Sequence, residues 1–327
     1  MVTKEYTYKK AFENKKEAVK KREFERQVLI SALYKSEPKL ADIESRQKAI
    51  GAKLALVTLS GDKEQIKQMK AESKVLAAEK KEIFKKGKIP PEKFDCSLCN
   101  DTGYVNGKIC ECIKKEASRI MAEELSKEMP LGECRFDNFD LKFYPDKNDS
   151  EGANPRRRMT AILKLCREYV INFGTASQNL LFTGNAGLGK THLTLAIVSG
   201  VIEKGYLPVY GSAENLFAVV EAEKFSGEGR GNYESMLNCD LLAIDDLGAE
   251  MATAFTKSVL YNLINTRLLS GKPTIINTNL SMKEIETKYS ARISSRLIGH
   301  YNANKFLGAD IRQQKLLKSV KERKNVC

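Results

Sequence analysis

The sequence has no apolar run that approaches the ~18–20 residues of a membrane span. The lysines near its start lead into no apolar core segment, so we expect no signal peptide. Only two histidines are present, His192 and His300, and neither lies in a metal-site context. These absences argue against a membrane protein and a secreted protein, and they predict a cytoplasmic one.

Positive charge is in excess, with 55 Lys and Arg against 42 Asp and Glu and a net charge of +13. The excess is uneven, because residues 1–94 hold 24 basic and 14 acidic residues. A basic protein of this kind tends to bind nucleic acid or another acidic surface. The N-terminal arm is therefore the most basic part of the chain.

Residues 1 to about 90 are predicted to be helical, since no proline lies between Met1 and Pro38 and Lys, Glu and Ala dominate. A first helix is expected from about Tyr8 to Tyr34. Two later segments have apolar residues at spacings of three, four and seven, which predicts an antiparallel helical hairpin with its break at 60–62. Their apolar positions are Leu40, Ile43, Ile50, Leu54, Val57, Ile66, Met69, Leu76 and Ile83. The arm is either a solvated helical bundle or a docking arm for another protein.

Four of the eight cysteines lie within 17 residues, as the pairs Cys96/Cys99 and Cys110/Cys112. Four thiolates in two close pairs match what tetrahedral Zn²⁺ requires. The intervening segment 105–108 contains Asn-Gly, which favours a tight hairpin turn that would bring the pairs together. We expect a structural zinc knuckle; a redox pair or free thiols are the alternative.

A glycine-rich stretch matches the phosphate-binding pattern G-x-x-x-x-G-K-[ST]. The apolar run 180–182 before it predicts a buried strand, and 193–202 after it predicts a helix. Backbone N–H groups and the helix N-terminus would face phosphate oxygens. Lys190 would reach the β- and γ-phosphates, and Thr191 would bind Mg²⁺. The predicted nucleotide-binding residues are Gly184, Asn185, Ala186, Gly187, Leu188, Gly189, Lys190, Thr191 and His192.

Two carboxylates, Asp245 and Asp246, follow the apolar run 241–244. A strand there would bring them to the same sheet edge as the phosphate loop. Asp245 would hold Mg²⁺, directly or through water, and Asp246 would orient and polarise the attacking water. The alternative is a simple helix cap.

The segment 274–278 predicts another strand, followed by a polar amide that would report the γ-phosphate. Asn279 is the first choice and Asn277 the alternative. Arg292 and Arg296 lie one helical turn apart. They are interpreted either as surface charge or as an arginine finger for a neighbouring subunit's nucleotide. Arg312 is a third candidate, directed to the nucleotide of its own subunit.

The second half of the sequence alternates strands and helices, which predicts a mainly parallel sheet covered on both faces. Its predicted strands are 179–183, 208–211, 241–245 and 274–278. The aromatic linker 134–144 would line an adenine pocket or serve only as a hydrophobic anchor. The glycine-rich loop 225–231 is interpreted as a solvated connection, and contact of Arg230 with DNA is the alternative.

The sequence resembles the AAA+ ATPases of the DnaC/DnaI replicative helicase loader family, with IstB-type transposition ATPases as relatives. The motifs that carry the resemblance are CSLCNDTGY (96–104), GNAGLGKT (184–191), LLAIDDLG (241–248), NTNL (277–280), RISSRL (292–297) and GADIR (308–312). The resemblance implies an α/β AAA+ P-loop core, preceded by a helical region and a zinc-ribbon-like knuckle.

The same resemblance implies roles for single residues. Lys190 and Thr191 become Walker A residues, and Asn279 becomes sensor 1. The remaining roles are Walker B for Asp245 and Asp246, arginine finger for Arg296 or Arg292, and a sensor 2-like role for Arg312. Asp246 stands where many AAA+ proteins have Glu, which predicts slow hydrolysis.

These observations together predict a partner-docking region at 1–93, a zinc knuckle with a linker helix at 94–132 and an ATPase domain at 133–327. The expected function is ATP-dependent loading of the replicative helicase onto single-stranded DNA by an oligomer that forms when ATP is bound. The expected cofactors are ATP, Mg²⁺ and Zn²⁺. An IstB-type transposition ATPase and a nucleotide-gated DNA-binding module with little turnover are the alternatives.

Overall fold

The structure is a computed structural model that describes residues 2–60, 62–91, 93–174, 177–226 and 231–324. The chain divides into two compact units, Phe12–Cys110, and Met1–Ala11 together with Glu111–Cys327. Most of the glycine-rich loop predicted at 225–231 lies outside the described residues.

The first unit is helical, as predicted. Its helices are α1 (Lys4–Ser36), whose first residues belong to the second unit, α2 (Lys39–Ser60) and α3 (Lys63–Lys86). Ile43, Ile50 and Leu76 are buried where α2 and α3 pack together. The Asp62 side chain accepts hydrogen bonds from the backbone N–H groups of residues 64 and 65 and so caps α3. The helical hairpin predicted from the apolar spacing is thus present.

A two-stranded hairpin follows, built from β1 (Tyr104–Val105) and β2 (Lys108–Ile109). Asn106 and Gly107 both have positive φ, of 50° and 73°. These are the conformations that a type I′ turn requires at its two central positions. The predicted turn is therefore present and folds the chain back between the two cysteine pairs.

The second unit is built on a five-stranded sheet with the order β4-β5-β6-β3-β7, in which all neighbours are parallel. Its strands are β3 (Asn179–Thr183), β4 (Val209–Ser212), β5 (Leu242–Leu247), β6 (Thr274–Thr278) and β7 (Tyr301–Lys305). The first four agree with prediction to within two residues at either end. The strand β7 escaped prediction because Asn302 and Asn304 interrupt any apolar run, and it lies at the sheet edge beside β3.

Helices connect the strands and cover the sheet. Their bounds are α4 (Glu111–Glu128), α5 (Pro155–Ile171), α6 (Lys190–Glu203), α7 (Ala213–Ser226), α8 (Asn232–Asn238), α9 (Ala254–Leu269), α10 (Met282–Lys288), α11 (Ala291–His300) and α12 (Ile311–Lys324). Two 3₁₀ turns, Phe136–Asn138 and Leu141–Phe143, form much of the predicted aromatic linker. Because every strand runs the same way, the loops after the strands meet at one sheet edge, where ligands of α/β sheets bind. No helix in the described part of the chain is long and apolar enough to cross a membrane.

Candidate nucleotide-binding site

The loop between β3 and α6 is held open by glycines in conformations that other residues rarely adopt. Gly184, Gly187 and Gly189 have φ values of 134°, 75° and 88°. A Cβ on Gly184 would lie 2.7 Å from the carbonyl oxygen of Phe306, and one on Gly189 would lie 2.8 Å from the Phe139 ring. The glycines therefore combine positive φ with close contact to their surroundings, and α6 begins directly after them.

Lys190 is almost fully buried beside this loop. Its ammonium donates to the carbonyl oxygens of Gly184 (2.7 Å) and Asn185 (2.8 Å) and to Oδ1 of Asn279 (2.6 Å). Burial lowers its pKa, and the charges of Asp246 and Asp245 partly offset that effect. The ammonium thus has uncharged oxygen partners, an environment that a phosphate anion would complement.

The two carboxylates at the end of β5 differ in position. Asp245 is buried, and Tyr210 and Asn277 donate hydrogen bonds to it. Asp246 has a positive φ of 49°, and the pairing of β5 with β6 is irregular at this point. Burial, and next the charge of Asp245, raises the pKa of Asp246, while Lys190 and Arg312 act in the opposite direction. Asp245 and Asp246 are neighbours in the sequence but lie in different environments.

Asn277 and Asn279 are also separated by the structure. Asn277 is fully buried within β6 and contacts Asp245 and Thr194. Asn279 follows the strand, faces the cavity described next and accepts the hydrogen bond from Lys190. Of the two amides left open by the sequence, Asn279 is the one next to the phosphate-binding loop.

A cavity of about 640 Å³ opens beside the loop. It brings together residues that are distant in sequence, and its lining includes Ala186, Gly187, Leu188, Gly189, Lys190, Thr191, His192, Tyr210, Asp246, Asn279 and Arg312. Arg312 lies in the first turn of α12, and the backbone N–H of Ile311 donates to the Gly187 carbonyl oxygen (3.0 Å). The helix α12 therefore starts against the phosphate-binding loop, which places a basic residue at the cavity.

Part of the cavity wall is aromatic. Phe139 stacks on Tyr144 at a centroid distance of 5.6 Å and meets the His192 ring edge-on at 5.4 Å. Tyr144 is fully buried and donates to the Leu188 carbonyl oxygen (2.8 Å). His192 contacts the Arg135 carbonyl oxygen through Nε2, and burial lowers its pKa. The linker thus both contacts the phosphate-binding loop and lines the cavity.

Arg292 and Arg296 lie away from this cavity on α11. Arg296 is held by Tyr261, since it donates to the hydroxyl (2.7 Å) and lies 4.4 Å from the ring centroid, and it also donates to Asn265 (3.0 Å). Arg292 lines a separate open groove that also contains Tyr261. Neither arginine reaches the nucleotide cavity of its own chain.

The four predicted zinc ligands come together. The Sγ atoms of Cys96, Cys99, Cys110 and Cys112 all lie within 4.8 Å of one another, and those of Cys96 and Cys110 are 3.7 Å apart. Four sulfurs at about 2.3 Å from a common tetrahedral centre would have separations of this size. A backbone hydrogen bond at Cys99 contributes most to lowering the pKa of Cys96 to about 6. The donor set and its spacing therefore fit a structural Zn²⁺ ion.

Sequence reasoning missed Tyr210, which lies on β4 and donates a hydrogen bond to Asp245. Phe139 and Tyr144 were named only as members of the aromatic linker, without a partner for either residue. A lone tyrosine in a short strand carries no motif, so only the pairing of β4 with β5 reveals its partner. The positions of such residues are set by tertiary contacts.

The parallel sheet, the glycine loop with its buried lysine and the carboxylates at the same edge are the features of a P-loop nucleotide-binding core. Residues 156–314 match the family of IstB-like ATP binding proteins. This match and the relatives described next confirm the resemblance to the DnaC/DnaI loaders and their IstB-type relatives.

The replicative helicase loader DnaC of Escherichia coli (strain K12) is 25% identical over 167 residues, which cover 50% of this chain and 62% of that protein. DnaC of Buchnera aphidicola (subsp. Baizongia pistaciae) is 23% identical over 183 residues, or 55% of this chain and 68% of that one. A crystal structure of the DnaC helicase loader aligns over 53% of this chain and 98% of its own, with 24% identity and a TM-score of 0.45. The chain thus spans about 62% of the length of the Escherichia coli relative.

Proposed function

We propose that this protein is a cytoplasmic ATPase that loads the replicative DNA helicase onto single-stranded DNA. The observation that carries the proposal is the cavity that joins Lys190 and Thr191 to Asp246, Asn279 and Arg312. The match to an ATP-binding family and the similarity to proteins named replicative helicase loaders support it.

The residues of the cavity suit ATP hydrolysis. The loop N–H groups and Lys190 bind the phosphates, and Asn279 reads the γ-phosphate. Thr191 and Asp245 would hold Mg²⁺, which would neutralise part of the phosphate charge when bound. Asp246 orients the attacking water and accepts its proton. Its side chain is one methylene shorter than the Glu of many AAA+ proteins, and we propose slow turnover that DNA or a partner stimulates.

The other parts of the chain fit the remaining steps of loading. The basic helices α1 to α3 offer a docking arm for a helicase subunit, and the four-cysteine cluster would hold Zn²⁺ for structural purposes. Arg296, or Arg292, would complete the nucleotide site of a neighbouring copy, because neither reaches its own. ATP binding would then favour a homo-oligomer, and contact with single-stranded DNA would trigger hydrolysis and release of the helicase.

The test combines the full-length chain with the replicative helicase of the same cell. We expect the two proteins to co-elute, and we expect ATP to increase the amount of helicase retained on circular single-stranded DNA. Lys190→Ala should abolish both phosphate release and ATP-dependent retention. Absence of co-elution, with ATP hydrolysis on DNA intact, would favour the IstB-type transposition ATPase. DNA binding that survives Lys190→Ala, with negligible phosphate release by the unaltered protein, would favour the nucleotide-gated DNA-binding module.

A mixing experiment tests the arginines. Asp246→Asn and Arg296→Ala should each be inactive alone, and a mixture of the two should recover part of the ATPase activity if Arg296 acts on a neighbour. The same mixture made with Arg292→Ala decides between the two arginines. A mixture that recovers nothing with either arginine would reject the proposed contribution in trans.

A further inference from the structure

The Asp245 carboxylate is held by donors on both of its oxygens. The Tyr210 hydroxyl donates to Oδ2 at 2.7 Å, and the Asn277 amide donates to Oδ1 at 2.6 Å. The backbone N–H of Asp246 adds a third bond to Oδ1 at 3.1 Å. A carboxylate with bonds of this length on both sides is fixed in its plane and in its rotation.

The two side chains reach Asp245 from the two strands that flank it. Tyr210 lies on β4, where it pairs with Ala243, and Asn277 lies on β6 on the other side of β5. Both hydrogen bonds therefore form only because β4 and β6 lie on the two sides of β5. Tyr210 belongs to no recognisable motif, whereas Asn277 is the first residue of the NTNL segment (277–280).

The orientation of the Asn277 amide is itself determined. An ionised carboxylate only accepts hydrogen bonds, so the NH₂ group of Asn277 must face Asp245. Its Oδ1 is then left to accept the hydroxyl of Thr194, on α6, at 3.0 Å. A chain of bonds thus runs from the helix that follows the phosphate-binding loop, through Asn277, to the carboxylate and Tyr210.

Tyr210 also lines the nucleotide cavity, while Asn277 is fully buried. Side chains that hydrogen-bond a metal-binding carboxylate fix its direction, and their loss commonly weakens metal binding by about 10–100-fold. A carboxylate that has lost a donor can rotate, and it then presents its free lone pairs to the cation less often.

We infer that Tyr210 and Asn277 are positioning residues that hold Asp245 in the orientation needed to receive the cation of a bound nucleotide. This inference rests on the proposed function, because that function assigns Asp245 to Mg²⁺. The two residues act through Asp245. They make the site selective for the metal–nucleotide complex over the free nucleotide.

The test measures cation binding and nucleotide binding separately in the full-length protein. Mn²⁺ replaces Mg²⁺ as the probe, since its binding in the presence of ATP is followed by electron paramagnetic resonance. Binding of a fluorescent ATP analogue in excess chelator reports the metal-free step. The variants are Tyr210→Phe, which removes only the hydroxyl, and Asn277→Ala. Tyr206→Phe is the matched control, because Tyr206 lies four residues earlier and does not line the cavity.

We expect Tyr210→Phe to raise the Mn²⁺ concentration for half-saturation about tenfold, with metal-free nucleotide binding and melting temperature close to those of the control. Asn277→Ala should shift Mn²⁺ binding in the same direction. The inference is overturned if Tyr210→Phe binds Mn²⁺ within about twofold of the unaltered protein, or if metal-free binding weakens equally. If the variants change Mn²⁺ binding as expected but the unaltered protein fails to load helicase, only the proposed loader function is rejected and the inference about Tyr210 and Asn277 stands.

Discussion

Tyr289 donates a hydrogen bond to the carboxylate of Glu250, and both side chains are buried. Glu250 lies in the loop that follows β5 and also accepts the backbone N–H of Gly248 (2.9 Å). Lys288 adds a bond to the Gly248 carbonyl oxygen (2.5 Å). The loop beyond the two carboxylates is therefore tied to the segment that leads into α11, the helix that carries Arg292 and Arg296.

Tyr289→Phe should loosen this connection. The change leaves a buried carboxylate with one donor fewer, so we expect a loss of about 1–3 kcal/mol in the free energy of unfolding. Backbone amides at the start of α11 should exchange with deuterium faster, as measured by mass spectrometry. Tyr206→Phe serves as the control, and unchanged exchange in α11 would show that the bond does not hold the helix.

Gly187→Ala tests the contact between the phosphate-binding loop and the start of α12. A Cβ at this position would lie 2.2 Å from the Asp310 carboxylate. Asp310 accepts the backbone N–H of Arg312 (2.8 Å) and so caps α12. Gly152→Ala is a matched control, since Gly152 also has positive φ but no atom within 4 Å of an added Cβ.

In both variants, alanine at a positive φ costs about 1 kcal/mol in backbone strain. We expect only Gly187→Ala to weaken nucleotide binding, by about tenfold, which corresponds to about 1.4 kcal/mol. Adding Asp310→Ala to it should recover part of the affinity by removing the clash. Equal affinities for the two single variants, measured by calorimetry, would contradict the role given to this contact.

Arg267 should be one of the most sensitive positions for stability. It is buried and donates to the carbonyl oxygens of Pro273 (2.6 Å) and Met236 (2.8 Å) and to the Thr274 hydroxyl (2.9 Å). Arg267→Met would leave these buried acceptors without a donor, and we expect a loss of about 3–5 kcal/mol.

Arg267→Lys should recover only part of that loss, because a single ammonium cannot span the directions that the guanidinium serves. Chemical denaturation measures the free energy of unfolding of both variants. The control is Arg157→Met at an exposed position of α5, which should stay within about 0.5 kcal/mol. A loss below 1 kcal/mol in Arg267→Met would contradict the interpretation.

Metal analysis tests the cysteine cluster. We expect one Zn²⁺ per chain by native mass spectrometry and its loss in Cys110→Ser, because a structural site needs all four thiolates. Chelation should lower the melting temperature of the unaltered protein. Cys134→Ser, outside the cluster, should keep the metal. Protein purified without any zinc, or Cys110→Ser that retains it, would reject the zinc site.

The ion pair between Lys10 and Glu124 predicts a local pH dependence. The two groups are 2.8 Å apart, and the hydrogen bond from Lys10, followed by that from Lys127, lowers the pKa of Glu124 from 4.5 to about 2. Because the pKa of Glu124 is lower in the folded state, the ion pair stabilises the folded protein above about pH 4.5. This stabilisation is lost as the pH falls towards 2. Lys10→Met should move the pKa of Glu124 back towards 4.5. Carboxyl NMR titration measures it, and an unperturbed value in the unaltered protein would contradict the pair.

Local patterns in the sequence were enough to predict much of the fold and of the candidate site. The phosphate-binding loop, the acidic pair after an apolar run and the four cysteines each lie within a segment of at most 17 residues. Glycine conformation and ligand spacing can be recognised over such short segments. The helical hairpin was predictable for a related reason, because an apolar residue every three or four positions marks one face of a helix.

Tertiary structure decided the rest. The choice of Asn279 over Asn277 beside Lys190 depends on where β6 ends, and the contacts of Tyr210 and Tyr289 join residues 35 and 39 positions from their partners. The polar strand β7 enters the sheet because β3 offers it a backbone edge, which no side-chain pattern reveals. Hydrogen bonds between distant segments depend on strand order and on which atoms burial leaves without water, and both exist only once the chain has folded.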